Sequence, residues 1–162
     1  MRAIAAAAVE PGRIYLTGGA TAVLRGWRDS TVDIDLKLVP DSDRMLRAIP
    51  DLKESLHINV ELASPSDFLP ELPGWQDRSP FIAREGTIDF HHYDFYSQCL
   101  SKLERDHRKD REDVQAMLSE KLVDPPKLLH FFEQIEGQLY RFPAVNAAGL
   151  RKAVTELQYR HP

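Results

Sequence analysis

Arg13-Ile14-Tyr15-Leu16-Thr17-Gly18-Gly19, followed after thirteen residues by Asp33-Ile34-Asp35-Leu36, is the stretch whose reading decides the fold. Residues 13–17 are rich in β-branched and aromatic side chains and stop at two glycines, the pattern of a short buried strand ending in a tight turn. Ala20 to Trp27 suits a two-turn helix that starts directly after the glycines and closes at Gly26. Residues 31–39 then alternate Val32, Ile34, Leu36 and Leu38 against Thr31, Asp33, Asp35 and Lys37, the period of two of a strand with one buried face. The polar face of that strand carries two carboxylates.

Outward from this stretch, residues 2–10 are Ala-rich and read as a short helix closed by Pro11-Gly12. Asp41-Ser42 caps a helix through Met45, Leu46 and Ile49, interrupted at Pro50 and resuming toward Leu56. His57 to Leu62 alternates again, with Ile58, Val60 and Leu62 on one side and Asn59 and Glu61 on the other, as a third strand. Four prolines (Pro65, Pro70, Pro73, Pro80) and Gly74 make residues 63–80 an irregular loop, anchored by Phe68, Leu69, Leu72 and Trp75. Residues 81–84 and 87–93 flank Glu85-Gly86 as a hairpin, and helices are expected over 94–107, 109–120, 125–139 and 147–160. This order defines an α+β or mixed α/β class: a mixed sheet flanked by helices, with a helical C-terminal third. Residues 1–93 form the sheet region and 94–162 the helical region, packed as one domain.

With 162 residues, 43% apolar and 28% charged, the chain is long enough to bury a core without disulfides, and its single Cys99 forms none internally. Cys99, with Phe95 and Leu103 four residues to either side, reads as core. A net charge of -4 argues against a protein that coats nucleic acid through bulk positive charge, although Lys102, Arg105, Arg108, Lys109 and Arg111 offer a local basic patch. Ala3 to Val9 is far shorter than the roughly 20 residues that span a bilayer, so no membrane is expected and the cytoplasm is the expected address. Neighbours on a strand point to opposite faces, which argues against joint metal binding by His91 and His92. There is no Cys-x-x-Cys pair, Walker loop or nucleophile elbow.

Chemistry gathers on the polar strand faces. Asp33 and Asp35 share a face with carboxylates roughly 6–7 Å apart, and such a pair repels unless a cation sits between. Glu61, on a strand that can pair beside theirs, adds a third hard oxygen of the kind Mg²⁺ or Mn²⁺ prefers, although its register against the Asp pair is not legible in sequence. Two divalent ions about 3.5–4 Å apart clamp the attacking and leaving oxygens of a phosphoryl transfer. Gly18 and Gly19 lack a Cβ, so the backbone there can approach a phosphate, and Thr21, Arg28 and Thr31 supply hydroxyls and a guanidinium beside the turn. A solvated strand face and an ordinary turn are the bland alternatives.

Leu16-Thr17-Gly18-Gly19, Asp33-Ile34-Asp35-Leu36 and Val60-Glu61-Leu62, in that order, resemble the signature of the polymerase-β-type nucleotidyltransferases. More narrowly, Gly18-Gly19-Ala20 with Arg28, Thr31 and the Asp pair, and downstream Lys102, Arg105, Lys109-Asp110 and Asp113, is similar to small bacterial nucleotidyltransferases related to AbiEii-type and MenT-type toxins. The resemblance covers about residues 13–118. It implies metal-dependent transfer of a nucleotide from an NTP to an RNA (tRNA) or protein acceptor with release of pyrophosphate, and a cognate toxin or antitoxin as partner. It makes Asp33, Asp35 and Glu61 the catalytic and metal-binding residues, with Gly18, Gly19, Thr21, Arg28, Thr31, Lys102, Arg105 and Asp110 on the nucleotide. Lys102 matches a helical lysine that contacts phosphate in the toxin-like relatives. A second reading, a non-catalytic nucleotide-binding or protein-interaction module of the same fold, stays open.

Overall fold

In the computed structural model, which describes residues 1–160, the chain divides into two compact units. The first comprises residues 1–64 and 79–93, and the second residues 65–78 and those from 94 onward. The class is mixed α/β, with a five-stranded sheet and helices through the C-terminal third.

In the first unit the strands are β1 (Gly12–Thr17), β2 (Asp33–Val39), β3 (Asn59–Leu62), β4 (Phe81–Glu85) and β5 (Ile88–His92), in the order β3-β2-β1-β5-β4. β2 runs antiparallel to β1 and parallel to β3, while β5 runs parallel to β1 and antiparallel to β4. Alternation then sorts the side chains. Ile14, Leu16, Leu36, Leu38, Val60, Ile88 and Phe90 form the apolar face and pack with Ile4, Ala5, Ala20, Met45 and Ile49 in one core. The opposite face carries Tyr15, Thr17, Asp35, Lys37, Glu61, Asp89 and His91.

Three helices supply the rest of that core. The first, α1 (Arg2–Ala5), is shorter than the Ala-rich run suggests: within it Ile4 and Ala5 are buried, and a short helix with so little packing is marginal in water. The second, α2 (Gly18–Leu24), starts on the glycines themselves. The third, α3 (Asp43–Leu56), runs through Pro50 without the expected interruption. A proline inside a helix costs about 3 kcal/mol, and the packing of Met45, Leu46, Ile49 and Leu52 against the core outweighs it.

The second unit contains α4 (Phe95–Arg105), α5 (Arg108–Ser119), α6 (Pro125–Glu136) and α7 (Ala147–Arg160). Its irregular segment 65–78 buries Leu69, Leu72 and Trp75 as expected, whereas Phe68, expected as a further anchor, is 53% exposed. Arg78 ties this segment to the helices: its guanidinium forks onto Asp94 at 3.1 and 3.1 Å and lies 4.2 Å from the centre of the Phe131 ring. Asp94 also caps α4, accepting from the Ser97 backbone N–H at 3.1 Å. Cys99 is fully buried, and burial pushes its thiol up to about 12, so it is a packing residue. Among the described residues no helix is long and apolar enough to cross a membrane.

His91 and His92 do point apart. His91 Nδ1 lies 3.0 Å from the Ser79 carbonyl, while His92 is buried with Nδ1 3.2 Å from the Thr21 hydroxyl. That hydroxyl donates its one proton to the Leu16 carbonyl at 2.9 Å, so its oxygen must accept from His92. The network therefore assigns the proton of a neutral ring to Nδ1. Burial, with Arg25 as a lesser cause, lowers the His92 pKa to about 4.

A histidine kept neutral by folding takes up a proton more readily when unfolded. Stability should therefore be intact above about pH 6.5 and fall as pH drops from there toward 4. This window lies above that of Asp89, Asp106, Asp110 and Glu136, whose lowered pKa values cost stability only in stronger acid. Urea unfolding should show a loss of about 2 kcal/mol between pH 7 and 4.5. His92→Asn, which keeps a donor near the Nδ1 position, should flatten that slope.

Candidate active site on the polar sheet face

Parallel pairing of β2 with β3 sets Asp33 opposite Asn59 and Asp35 opposite Glu61. Residues directly opposite in paired strands project to the same face, so all four side chains share one patch. The register of Glu61, which sequence leaves open, is thereby fixed beside Asp35. Asp33 and Asp35 are half-buried and Glu61 is exposed. The Asn59 side-chain amide donates to Asp33 Oδ1 at 2.7 Å and to Glu61 Oε1 at 2.7 Å, bridging two of the three carboxylates. Among the described residues no three His, Cys, Asp or Glu side chains converge as ligands of a single ion.

The glycine turn borders the same patch. β1 ends at Thr17, paired antiparallel with Asp35, so the next residues turn beside that carboxylate. Gly18 has a φ of +57°, and a Cβ there would lie 2.5 Å from Asp35 Oδ2. A Cβ on Gly19 would overlap the Thr31 hydroxyl and lie 2.9 Å from Thr31 Cβ. That hydroxyl donates to the Asp33 carbonyl at 2.9 Å, which fixes Thr31 at the start of β2, against Gly19. Both glycines are thus required by the close approach of the turn to the acidic strand. Thr21, expected on the nucleotide, is fully buried beneath the turn and commits its hydroxyl to Leu16 and His92. It holds the turn from inside. Arg28 is half-buried in the segment joining α2 to β2.

Lys102, Arg105 and Asp110 come together in the second unit as a clasp between α4 and α5. Lys102 is buried with Nζ 3.3 Å from Asp110 Oδ1 and 2.5 Å from Asp113 Oδ2, and Arg105 reaches Asp110 Oδ1 at 2.6 Å. Burial opposes ionisation of Asp110, but Arg105 and Lys102 together overcome it and hold its pKa below the usual value. Arg108 pairs with Glu112 and Arg111 with Asp106. The basic patch expected from this run is therefore largely neutralised by its own acids. A groove of about 610 Å³ in this unit is lined by Lys102, Leu103, Val114, Leu118, Leu150 and Leu157 among others.

Sequence reasoning placed Asn59 on the polar side of its strand without giving it work. The signal was present, since Asn59 lies two residues before Glu61 and so on its face. Nothing local in the sequence joins His92 to Thr21, which the resemblance places on the nucleotide. Only the parallel register of β5 on β1 shows that they meet.

Gly18→Ala should lower stability through both a strained φ and the collision with Asp35, by about 1–3 kcal/mol. Gly86→Ala is the control, because Gly86 has a φ of +59° with nothing within 4 Å of an added Cβ. Thermal melting should show Gly18→Ala as the more damaging of the two, and Asp35→Ala should recover part of the difference.

The family model described as nucleotidyltransferase of unknown function (DUF6036) matches residues 7–154. No curated protein and no solved structure matches the chain. The matched span runs from before the glycine turn, through the Asp pair and Glu61, past the Lys102 clasp and into α7. On that coverage the chain belongs to the nucleotidyltransferase family DUF6036.

Proposed function

We propose that the chain moves a nucleotide from an NTP to an RNA acceptor, tRNA in particular, or to a protein acceptor, with Mg²⁺ or Mn²⁺ and with release of pyrophosphate. The observation that carries this reading is the pairing of Asp35 with Glu61 and of Asp33 with Asn59, which puts three carboxylates on one strand face beside a glycine turn. Membership of a nucleotidyltransferase family supports nucleotidyl transfer as the reaction class.

The donor set, three carboxylates, suits a hard dication. Asp33 and Asp35 are the ligands that would hold it, with Glu61 as a third ligand or as the base that takes the acceptor's proton. A bound dication supplies charge neutralisation of the triphosphate and polarisation of the phosphorus–oxygen bonds that are exchanged. The chain's own part is positional. The Gly18-Gly19 turn packs directly against Asp35 and Thr31, so that bare backbone, whose N–H groups suit a phosphate, borders the carboxylates. The buried Thr21 hydroxyl, held between the Leu16 carbonyl and His92, keeps that backbone in place. Lys102, Arg105 and Asp110 enter this reading through the resemblance to toxin-like relatives. So does service in a toxin–antitoxin pair, with a cognate toxin or antitoxin as partner.

Purified protein incubated with labelled NTPs, Mg²⁺ or Mn²⁺, cell RNA and cell protein should transfer label to one acceptor class. Asp33→Asn and Asp35→Asn should each reduce transfer by more than the roughly 10- to 100-fold typical of removing a partner one step out from a metal. Tight NTP binding without transfer would mark the chain as a non-catalytic nucleotide-binding module. Transfer unaffected by both substitutions would refute the assignment of the site.

A further inference from the structure

We propose that Asn59 is an internal stand-in for the cation: its amide bridges the Asp33 and Glu61 carboxylates and competes with an ion for the two oxygens it holds. Residue 59 then sets how tightly the ion is held. The inference rests on reading the carboxylate face as an ion site, and it assigns a positioning residue that neither the resemblance nor the family description names.

The geometry is specific. Asn59 is the register partner of Asp33 and lies two residues before Glu61 on the same strand face, so one short side chain reaches a carboxylate on each strand. Its Nδ2 lies 2.7 Å from Asp33 Oδ1 and 2.7 Å from Glu61 Oε1, using both amide protons on two anionic acceptors. This is a dipole doing in part what a dication would do in full. An ion ligated by those oxygens would need them at about 2.0–2.2 Å, a shell with no space for a nitrogen already between them. Amide and ion therefore compete for Oδ1 and Oε1, the two oxygens the bridge uses.

Competition gives a sign that a merely structural asparagine would not. Removing the bridge should destabilise the ion-free protein and strengthen ion binding, whereas a structural or preorganising role would lower stability and leave affinity unchanged or weaker.

The test uses the full chain as wild type, Asn59→Ala and Asn59→Ser, the last too short to span both carboxylates, with Asp35→Asn as the control for the ion site. Melting temperature with and without Mn²⁺, and Mn²⁺ binding by electron paramagnetic resonance, are the readouts. Expected for either Asn59 variant are a lower ion-free melting temperature, a larger gain on adding Mn²⁺ and about tenfold tighter binding, the scale of one hydrogen bond to a charged group. Mn²⁺ binding equal to or weaker than wild type in the variant that folds would overturn the proposal. If wild type and Asp35→Asn respond to Mn²⁺ alike, or not at all, the ion-site reading fails first and takes the role of Asn59 with it.

Discussion

Like charge held on one strand face is the constraint around which the first unit is arranged. With an effective dielectric of about 20, two unit charges about 6 Å apart repel by about 3 kcal/mol, and Asp33, Asp35 and Glu61 crowd together on two adjacent strands. Nothing in strand geometry requires this, since serine or lysine would fit the same positions. The fold instead supplies partial compensation through the Asn59 amide and rigid support from behind. The apolar side chains Ile34, Leu36 and Val60 alternate with the acidic ones and bury into the core, which fixes the register. Slipping β3 by one residue would turn Val60 outward and Glu61 into the core.

The glycine turn answers to the same constraint. Its close approach to Asp35 and Thr31 leaves no room for side chains at positions 18 and 19, so the backbone itself borders the acidic patch. Beneath it, Thr21 is pinned by Leu16 and by His92 from β5. A neutral histidine thus braces, from the buried side, the turn that meets the carboxylates on the exposed one. Sequence arithmetic made the turn and the acidic pair legible because strand alternation and glycine punctuation are local signals.

What stayed illegible was non-local. The pairing of β3 with β2, which decides whether Glu61 joins the Asp pair, depends on which strands neighbour each other. The same holds for the contact of His92 with Thr21, 71 residues apart. Pro50 misled for the opposite reason: a strong local signal was overruled by the burial of Met45 and Ile49 on the helix that carries it. In the second unit, helix positions were read nearly correctly. A basic run, however, cannot be told from a self-neutralised one until the partners of Lys102, Arg105, Arg108 and Arg111 are seen. Charge counts describe potential, and pairing decides what reaches solvent.

Whether a dication is drawn to this face is most directly read by paramagnetic broadening of backbone amide resonances on adding Mn²⁺ to ¹⁵N-labelled protein with a non-hydrolysable NTP. Broadening centred on residues 33–35, 59–61 and 18–19 is the expected result. Broadening centred on other acidic positions, such as Asp41 and Asp43 or Glu71 and Asp77, or spread evenly over the surface, would contradict it.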